Sequence, residues 1–250
     1  MDIALKKHYE WRGKIEIGLI APLDNKDDLS MAYTPGVALP CMEIHKDPNK
    51  SFELTRRWNT VAVITNGTAV LGLGNIGPLA SMPVMEGKAA LFKKFGDVDA
   101  IPICLSTEDI DEFVNAVTLM EGSFGGINLE DIAAPKCFEI EKKLKERLLI
   151  PVFHDDQHGT AIVALAAVIN AIRLTGKSKN LVKVVINGAG AAGTAILKLL
   201  LSAGFKDIVV CDLKGVIYEG KEGLSHAHQE IAKISNPRGI KGELTQAIKD

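Results

Sequence analysis

The sequence predicts an α/β fold, because short runs typical of buried strands alternate with stretches of helical length. Residues 61–65 and 182–186 are short apolar runs rich in β-branched residues, a pattern typical of strands buried on both faces. Residues 160–175 form a longer apolar stretch of helical length. Strands that alternate with helices imply parallel sheets with helices on both faces.

Local signals define the elements of the first part of the chain. Asn66-Gly67 is a tight-turn dipeptide that closes the first strand. Pro102 lacks a backbone donor, so its strand is an edge strand or an irregular one. Thr107 suits a helix N-terminus, and Pro135 suits the first turn of another helix. Strands are predicted at 61–65, 69–71, 100–104, 126–129 and 151–153, helices at 86–94, 107–120 and 135–147, and a loop at 33–40.

The second part of the chain has a simpler order. Gly176 is placed to end the helix at 160–175. A strand at 182–186, a glycine-rich turn, a helix and a strand at 208–212 follow. We place the domain boundary within the region of the long helix, which gives an N-terminal α/β domain of residues 1–157 and a second domain of residues 158–250.

The glycine-rich turn is the clearest sign of a ligand site in the second domain. Gly188, Gly190 and Gly193 are spaced GxGxxG between a strand and a helix, and the next strand ends at Asp212. Glycines allow a pyrophosphate to approach closely, and the helix N-terminus favours its charge. The carboxylate can accept hydrogen bonds from ribose hydroxyls. The unit predicts a Rossmann-like dinucleotide-binding domain; the alternative is a turn that binds nothing.

Three alanines, Ala189, Ala191 and Ala192, complete the predicted cofactor-binding turn. The Asp212 carboxylate would repel a 2′-phosphate, which favours NAD over NADP. Lys214 lies close by in sequence and weakens that preference, so NADP is the alternative cofactor.

A second GxGxxG motif, at 72–77, lacks this context. Asp97 follows it but precedes a predicted strand instead of ending one, and Pro78 and Pro83 interrupt the segment that should be helical. We interpret the motif as a backbone turn near the active site, whose glycines would let a substrate or nicotinamide approach. A purely structural turn is the alternative.

Acidic pairs follow two of the predicted strands. Glu130 and Asp131 end one strand, and Asp155 and Asp156 end another. Ligands bind at the carboxyl ends of parallel strands, and carboxylates suit Mg²⁺ or Mn²⁺ better than zinc. These pairs therefore predict a divalent-metal site, with solvated acidic loops as the alternative. His154 and His158 flank the second pair, and we interpret them as hydrogen-bonding groups near the metal, with direct metal ligation as the alternative.

Lys88 and Tyr33 are the candidates for proton transfer. Lys88 is expected at the start of a helix, where a cation is unfavourable, and this placement suggests a functional role. As a base it would need its pKa lowered by about 3 from about 10.4, which burial and a nearby divalent cation would promote. Tyr33 lies beside a Pro-Gly turn and could donate a proton. The alternatives are a surface lysine and a packed tyrosine.

Composition excludes several classes of protein. The chain has 250 residues and 47% hydrophobic content, which permits one or two cores and argues against wholesale disorder. A net charge of −2 gives no sign of nucleic-acid or membrane partners. Four cysteines without a CxxC pair indicate reduced thiols. We find no signal-peptide pattern and no run of 18 apolar residues, and therefore expect a cytoplasmic protein without a membrane span.

Several motifs together resemble those of the malic enzymes, in particular the short prokaryotic type. The resemblance covers essentially the whole chain, and the order of the motifs is specific. The matching segments are Tyr33-Thr-Pro-Gly-Val-Ala, Thr65-Asn-Gly-Thr-Ala, Met85-Glu-Gly-Lys-Ala, Asn128-Leu-Glu-Asp, Phe153-His-Asp-Asp-Gln-His-Gly-Thr and Asn187-Gly-Ala-Gly.

The resemblance implies oxidative decarboxylation of (S)-malate to pyruvate and CO₂, with reduction of NAD or NADP and dependence on Mg²⁺ or Mn²⁺. Lys88 would be the base and Tyr33 the acid. Glu130, Asp131 and Asp156 would be the metal ligands. The N-terminal domain would then carry the catalytic and metal-binding groups. The family also implies a homodimer.

Two features of the sequence leave alternatives open. The chain ends at Asp250, after only two clear strands of the dinucleotide-binding domain, so we expect a malic enzyme truncated at its C-terminus. A malolactic or oxaloacetate-decarboxylating variant of the same scaffold is one alternative. A non-catalytic dinucleotide-binding fragment is another.

Overall fold

A computed structural model describes residues 2–249, which form two compact units. The first unit comprises residues up to Ile132 together with Lys142–Val152. The second comprises Ala133–Glu141 and the chain from Phe153 onward. The boundary expected between residues 157 and 158 stays a prediction.

The first unit is built on a four-stranded sheet. β1 pairs in parallel with β2 on one side and β3 on the other, and the strand order is β2-β1-β3-β4. Its strands are β1 (Thr60–Thr65), β2 (Asp99–Cys104), β3 (Gly126–Leu129) and β4 (Val152–His154), and its helices are α1 (Ile3–Trp11), α2 (Lys26–Ala32), α3 (Ala38–Lys46), α4 (Ser51–Leu54), α5 (Pro78–Gly96) and α6 (Ile110–Leu119). α7 (Lys136–Arg147) begins in the second unit and ends in the first, and β4 begins in the first unit and ends in the second.

Apolar burial explains the central position of β1. Ala62, Val63 and Ile64 are fully buried, as expected for a strand with neighbours on both edges and helices above and below. Phe113 of α6 and Met85 of α5 are also fully buried. β2 lies at the edge of the sheet, so the prediction of an edge strand from Pro102 is confirmed.

The extent of α5 corrects two sequence-based expectations. The helix begins at Pro78, eight residues before the predicted start, because the first turn of a helix needs no backbone N–H from proline. Pro83 lies inside it and did not prevent helix formation. Lys88 therefore lies in the middle of α5, and the argument from an unfavourable helix N-terminus was wrong.

Two smaller expectations also differ from the structure. Residues 69–71 form no strand; Val70 makes only a single bridge with Gly74. α6 begins at Ile110 and not at Thr107, because the Asp109 carboxylate accepts a hydrogen bond from the Glu112 backbone N–H at 2.8 Å and caps the helix.

The second unit contains a three-stranded sheet of order β5-β6-β7. β5 and β6 are parallel and joined by a helix, whereas the short β7 is antiparallel and was not predicted. The elements are α8 (Thr160–Thr175), β5 (Lys183–Asn187), α9 (Ala191–Ser202), β6 (Asp207–Asp212), β7 (Gly215–Val216), α10 (His226–Ile234) and α11 (Leu244–Lys249).

The core of the second unit lies between the sheet and its helices. Leu197 and Leu200 of α9, Phe205 and Ile208 are essentially fully buried in one cluster. α8 ends at Thr175 with Gly176 in the left-handed conformation at φ 64°, so the predicted helix end is confirmed. The α/β class predicted from the sequence is confirmed in both units.

Among the described residues, one helical stretch, Asp155–Thr175, is long and apolar enough to cross a membrane. This follows from length and composition alone, a test that the core helices of soluble proteins also pass. The expectation of no membrane span stays a prediction.

All four cysteines are free thiols. Cys137 and Cys211 are buried as expected, but Cys41 is exposed. Burial raises the pKa of Cys137 to about 12, so this thiol stays neutral at physiological pH and is a packing residue, not a nucleophile.

Candidate active site and dinucleotide site

The glycine-rich turn joins β5 to α9 through a backbone path that only glycine permits at two positions. Gly188 has φ 128°, in the region that other residues rarely adopt, and its N–H donates to the Cys211 carbonyl at 2.9 Å. A Cβ at Gly193 would collide with the Gly188 carbonyl oxygen. In contrast, no described atom beyond the adjoining backbone lies within 4 Å of a Cβ placed on Gly190. The turn is therefore tightly packed where Gly193 contacts Gly188 and open to solvent at Gly190.

The exposed side of this turn suits an anion. α9 begins at Ala191, so the backbone N–H groups of its first turn have no partners inside the helix. Ala189 and Ala192 are too small to cover these donors. A phosphate group is the natural ligand for such a helix N-terminus, as the sequence predicted.

Asp212 lies at the end of β6, on the strand next to the glycine turn. Its Oδ1 accepts a hydrogen bond from the Lys214 backbone N–H at 2.7 Å. Lys221 Nζ lies 3.8 Å from Oδ1, and His228 Nδ1 lies 3.6 Å from Oδ2. Sequence reasoning missed these two groups, because they lie on a loop and on α10 and no local pattern links them to Asp212. The positive charge of Lys221 would reduce the repulsion of a 2′-phosphate, so the structure does not strengthen the preference for NAD.

Two buried carboxylates follow β3 in the first unit. Glu130 and Asp131 are each 5% exposed. Asn128 Nδ2 donates to Glu130 Oε2 at 2.9 Å, and the Glu130 backbone N–H donates to the Ile64 carbonyl at 2.9 Å. Burial of a carboxylate is costly unless it is paired and hydrogen-bonded. The end of β3 is therefore a site where a nearby cation is strongly favoured.

Lys88 supplies one such cation. Its Nζ lies 3.2 Å from Glu130 Oε1, and its side chain is 23% exposed. The lysine reaches this position from the middle of α5, which packs against β1 and β2. The structure thus brings the predicted base together with one predicted metal ligand, although the two residues are far apart in sequence.

Asp131 has a left-handed backbone conformation, with φ 53°. Its carbonyl oxygen accepts a hydrogen bond from the Ala69 backbone N–H at 3.1 Å, which fixes the loop after β1 to the loop after β3. Strained conformations of this kind cost of order 1–3 kcal/mol and are concentrated at functional sites. This observation supports a functional role for the segment after β3.

Tyr33 lies at the C-terminal end of α2 and is 67% exposed. The side chain is therefore not packed in a core, as the purely structural interpretation of Tyr33 required. Its role as an acid stays a prediction.

Asp156 lies in the second unit, within a π-helical turn formed by Asp155–Gly159 between β4 and α8. His154 Nε2 lies 3.6 Å from Asp156 Oδ2. Burial lowers the pKa of His154 despite the neighbouring carboxylates, so the imidazole is neutral at physiological pH. Glu141 of α7, which sequence reasoning missed, is buried beside this turn.

The predicted metal ligands all offer oxygen donors. Glu130 and Asp131 are held in the first unit and Asp156 in the second. Carboxylate oxygens are the donors that Mg²⁺ and Mn²⁺ prefer, and no softer ligand is needed. The chemistry of this donor set fits a hard divalent cation.

The second glycine motif has a structural explanation. The Ile76 and Gly77 backbone N–H groups both donate to the Gly67 carbonyl at 3.1 Å, and a Cβ at Gly67 would collide with Gly77. The turn at 72–77 thus packs against the turn after β1 and precedes α5. Close approach of a substrate or nicotinamide here stays a prediction.

Comparison with known protein families gives a match over most of the chain. Residues 12–145 match the malic enzyme N-terminal domain, and residues 157–249 match the malic enzyme NAD-binding domain. The chain belongs to the malic enzyme family. Its second unit accordingly carries a Rossmann-like NAD-binding domain, which confirms the fold expected from the glycine turn.

Curated relatives are more than half identical to this malic enzyme family member. The bifunctional malic/malolactic enzyme of Bacillus subtilis (strain 168) is 56% identical over 248 residues, which are 99% of this chain and 60% of the relative. The NAD-dependent malic enzyme of Geobacillus stearothermophilus is 54% identical over 236 residues, which are 94% of this chain and 49% of the relative. The chain therefore spans about half to three-fifths of the length of these relatives.

Solved structures of malic enzymes have the same fold. The NAD-dependent malic enzyme of Thermotoga maritima superimposes with a TM-score of 0.95 at 50% identity, covering 100% of this chain and 67% of that one. The malic enzyme of Pyrococcus horikoshii Ot3 gives a TM-score of 0.93 at 43% identity, covering 99% and 61%.

Substitutions at two glycines should separate packing from cofactor binding. Gly193→Ala should lower the free energy of unfolding by about 1–3 kcal/mol, because its Cβ would collide with the Gly188 carbonyl oxygen. Gly190→Ala should leave stability nearly unchanged but weaken NAD binding, since its Cβ enters the open space above the turn. Urea unfolding and NAD titration of both variants test this. Equal loss of stability in the two variants would contradict it.

Proposed function

We propose that this protein catalyses the oxidative decarboxylation of (S)-malate to pyruvate and CO₂ with reduction of NAD or NADP, in a reaction that needs a divalent metal. The observation that carries the proposal is the contact of Lys88 Nζ with the buried Glu130 carboxylate at 3.2 Å. This ion pair favours the charged lysine, and a divalent cation held by Glu130 would favour the neutral amine that a base requires. The match to both malic enzyme domains supplies the substrate and cofactor classes.

Each candidate residue has a role in this proposal. Glu130, Asp131 and Asp156 would hold Mg²⁺ or Mn²⁺, which when bound supplies a Lewis acid for the substrate oxygens. Lys88 accepts the proton of the malate C2 hydroxyl as a general base. Tyr33 donates a proton to the carbon that loses CO₂.

The cofactor-binding part of the proposal rests on the turn between β5 and α9. The backbone of Gly188 to Gly193 would bind the pyrophosphate, and Asp212 would accept hydrogen bonds from the adenosine ribose. NAD is the first choice and NADP the alternative. Relatives that are named as NAD-dependent and as NADP-dependent match this chain at similar identity.

A second function of the same scaffold is supported by one relative. The Bacillus subtilis protein is named as a bifunctional malic/malolactic enzyme. Direct formation of lactate, or decarboxylation of oxaloacetate, is therefore the second candidate for this chain. A non-catalytic dinucleotide-binding fragment is the third, because the chain spans 60% of that relative.

We also propose a cytoplasmic protein that has no nucleic-acid or membrane partner, in keeping with its net charge of −2.

Product analysis distinguishes the three candidates. With malate, Mn²⁺ and NAD the chain should form NADH and pyruvate, and omission of the metal should abolish both. Parallel reactions with NADP measure the cofactor preference. Lactate without net NADH formation would reject the oxidative reaction in favour of the malolactic one. Binding of NAD without any product would favour the fragment hypothesis.

Replacement of Lys88 tests its role as the base. Lys88→Ala should lower kcat by about 10²–10⁴-fold, the usual contribution of general acid–base catalysis, and leave the Kd of NAD nearly unchanged. Lys94→Ala is the matched control, because Lys94 lies on the same helix and is exposed. Steady-state kinetics and NAD titration measure both effects. A parallel loss of NAD binding in Lys88→Ala would show that Lys88 is structural.

We propose that the protein forms a homodimer through the apolar surface near its N-terminus. Many large apolar side chains among the first 58 residues are exposed, and concentrated apolar exposure is typical of interaction sites. The contributing side chains include Ile3, Tyr9, Trp11, Ile17, Leu19, Ile20, Met31, Leu39 and Trp58.

Charge placed in this surface should dissociate the dimer. Sedimentation should give twice the mass of one chain for the unmodified protein and the mass of one chain for the double variant Ile17→Glu/Leu19→Glu. Leu149→Glu is the control, because Leu149 is also exposed but lies outside this surface. A monomeric unmodified protein would rule out the proposal.

A further inference from the structure

Glu141 is a buried carboxylate in a helix whose neighbouring charges are exposed. It is 7% exposed, whereas Lys142, Lys145 and Glu146 of α7 lie at the surface. A buried carboxylate is costly unless hydrogen bonds replace its lost water. Glu141 Oε2 accepts a hydrogen bond from Gln157 Nε2 at 3.2 Å, and Oε1 lies 2.7 Å from His158 Nε2. The two consecutive residues Gln157 and His158 thus each contact one oxygen of the Glu141 carboxylate.

That segment is the π-helical turn Asp155–Gly159. Turns of this kind are rare and occur frequently at functional sites. Gln157 is itself buried, and it directly follows Asp156 in the sequence. The anchoring by Glu141 therefore acts on the residues immediately after Asp156.

The turn is closely covered at its C-terminal end by one of its own side chains. A Cβ at Gly159 would collide with the Asp155 carboxylate, so this carboxylate folds back over the end of the turn. No side-chain hydrogen bond caps the start of the turn at His154. The anchor from α7 thus adds a constraint from outside the turn.

We infer that Glu141 is a positioning residue that fixes the Asp155–Gly159 turn and thereby the carboxylate of Asp156. The inference rests on the proposed function, in which Asp156 is a metal ligand. Glu141 takes no part in proton transfer and binds no substrate atom. It acts through Gln157 and His158, both within the second unit. Partners that orient a ligand in this way contribute about 10–100-fold to metal affinity.

Manganese binding to the whole chain tests this role. We would measure the Kd of Mn²⁺ from the electron paramagnetic resonance signal of the free ion, and the Kd of NAD by titration. Glu141→Ala should raise the Kd of Mn²⁺ about 10–100-fold and leave the Kd of NAD nearly unchanged. Glu141→Gln should raise it less, because an amide keeps one acceptor for the turn. Glu146→Ala on the exposed face of the same helix is the control and should change neither constant.

The outcomes separate this inference from the proposed function. If the unmodified chain does not bind Mn²⁺, the proposed metal-dependent reaction is wrong and the inference fails with it. If it binds Mn²⁺ and Asp156→Asn abolishes binding, but folded Glu141→Ala binds normally, only the inference is wrong. If Glu141→Ala does not fold, Glu141→Gln decides: an unchanged Kd of Mn²⁺ in a folded Glu141→Gln protein would overturn the positioning role. A fall in melting temperature alone, without a change in this Kd, would show a merely structural role.

Discussion

The burial of Glu130 and Asp131 at the carboxyl end of β3 is the constraint on which the candidate active site depends. Charged carboxylates leave water only at a large cost in free energy, and that cost must be offset by hydrogen bonds and opposite charge. Asn128 and Lys88 provide part of this compensation to Glu130. The same contact brings a lysine of α5 to the end of the central sheet. The ion pair with the buried Glu130 carboxylate therefore helps to hold Lys88, the proposed base, at this position.

A second constraint governs the dinucleotide site. α9 approaches β5 so closely that only a hydrogen atom fits between the Cα of Gly193 and the Gly188 carbonyl. This approach places the N-terminus of α9 directly after the strand, with its free N–H groups facing open space. Cofactor binding in this unit is thus a consequence of backbone packing more than of particular side chains. In the proposed function Asp212, which has Lys221 and His228 beside it, would set the selectivity at the ribose end.

The two units contribute different chemistry to the proposed reaction. The first holds the Lys88–Glu130 pair and the strained Asp131, and the second holds the cofactor turn and Asp156. Because the chain covers 60% of the Bacillus subtilis relative, the activity of the whole protein stays a proposal. Membership of the malic enzyme family does not depend on that question, since both family domains are matched.

The sequence alone determined the α/β class, the strand before the glycine turn, the helix at 160–175 and the acidic pairs at strand ends. These features depend on periodicity and on local backbone chemistry, which neighbouring residues encode. Only the tertiary structure placed Lys88 in the middle of α5 and beside Glu130, because that contact joins segments far apart in the chain. It also revealed Glu141, Lys221 and His228, whose importance comes from the side chains they face and not from any local pattern. Which charged residues pair over long distances in the chain depends on tertiary packing. The local patterns of a single sequence do not contain that information.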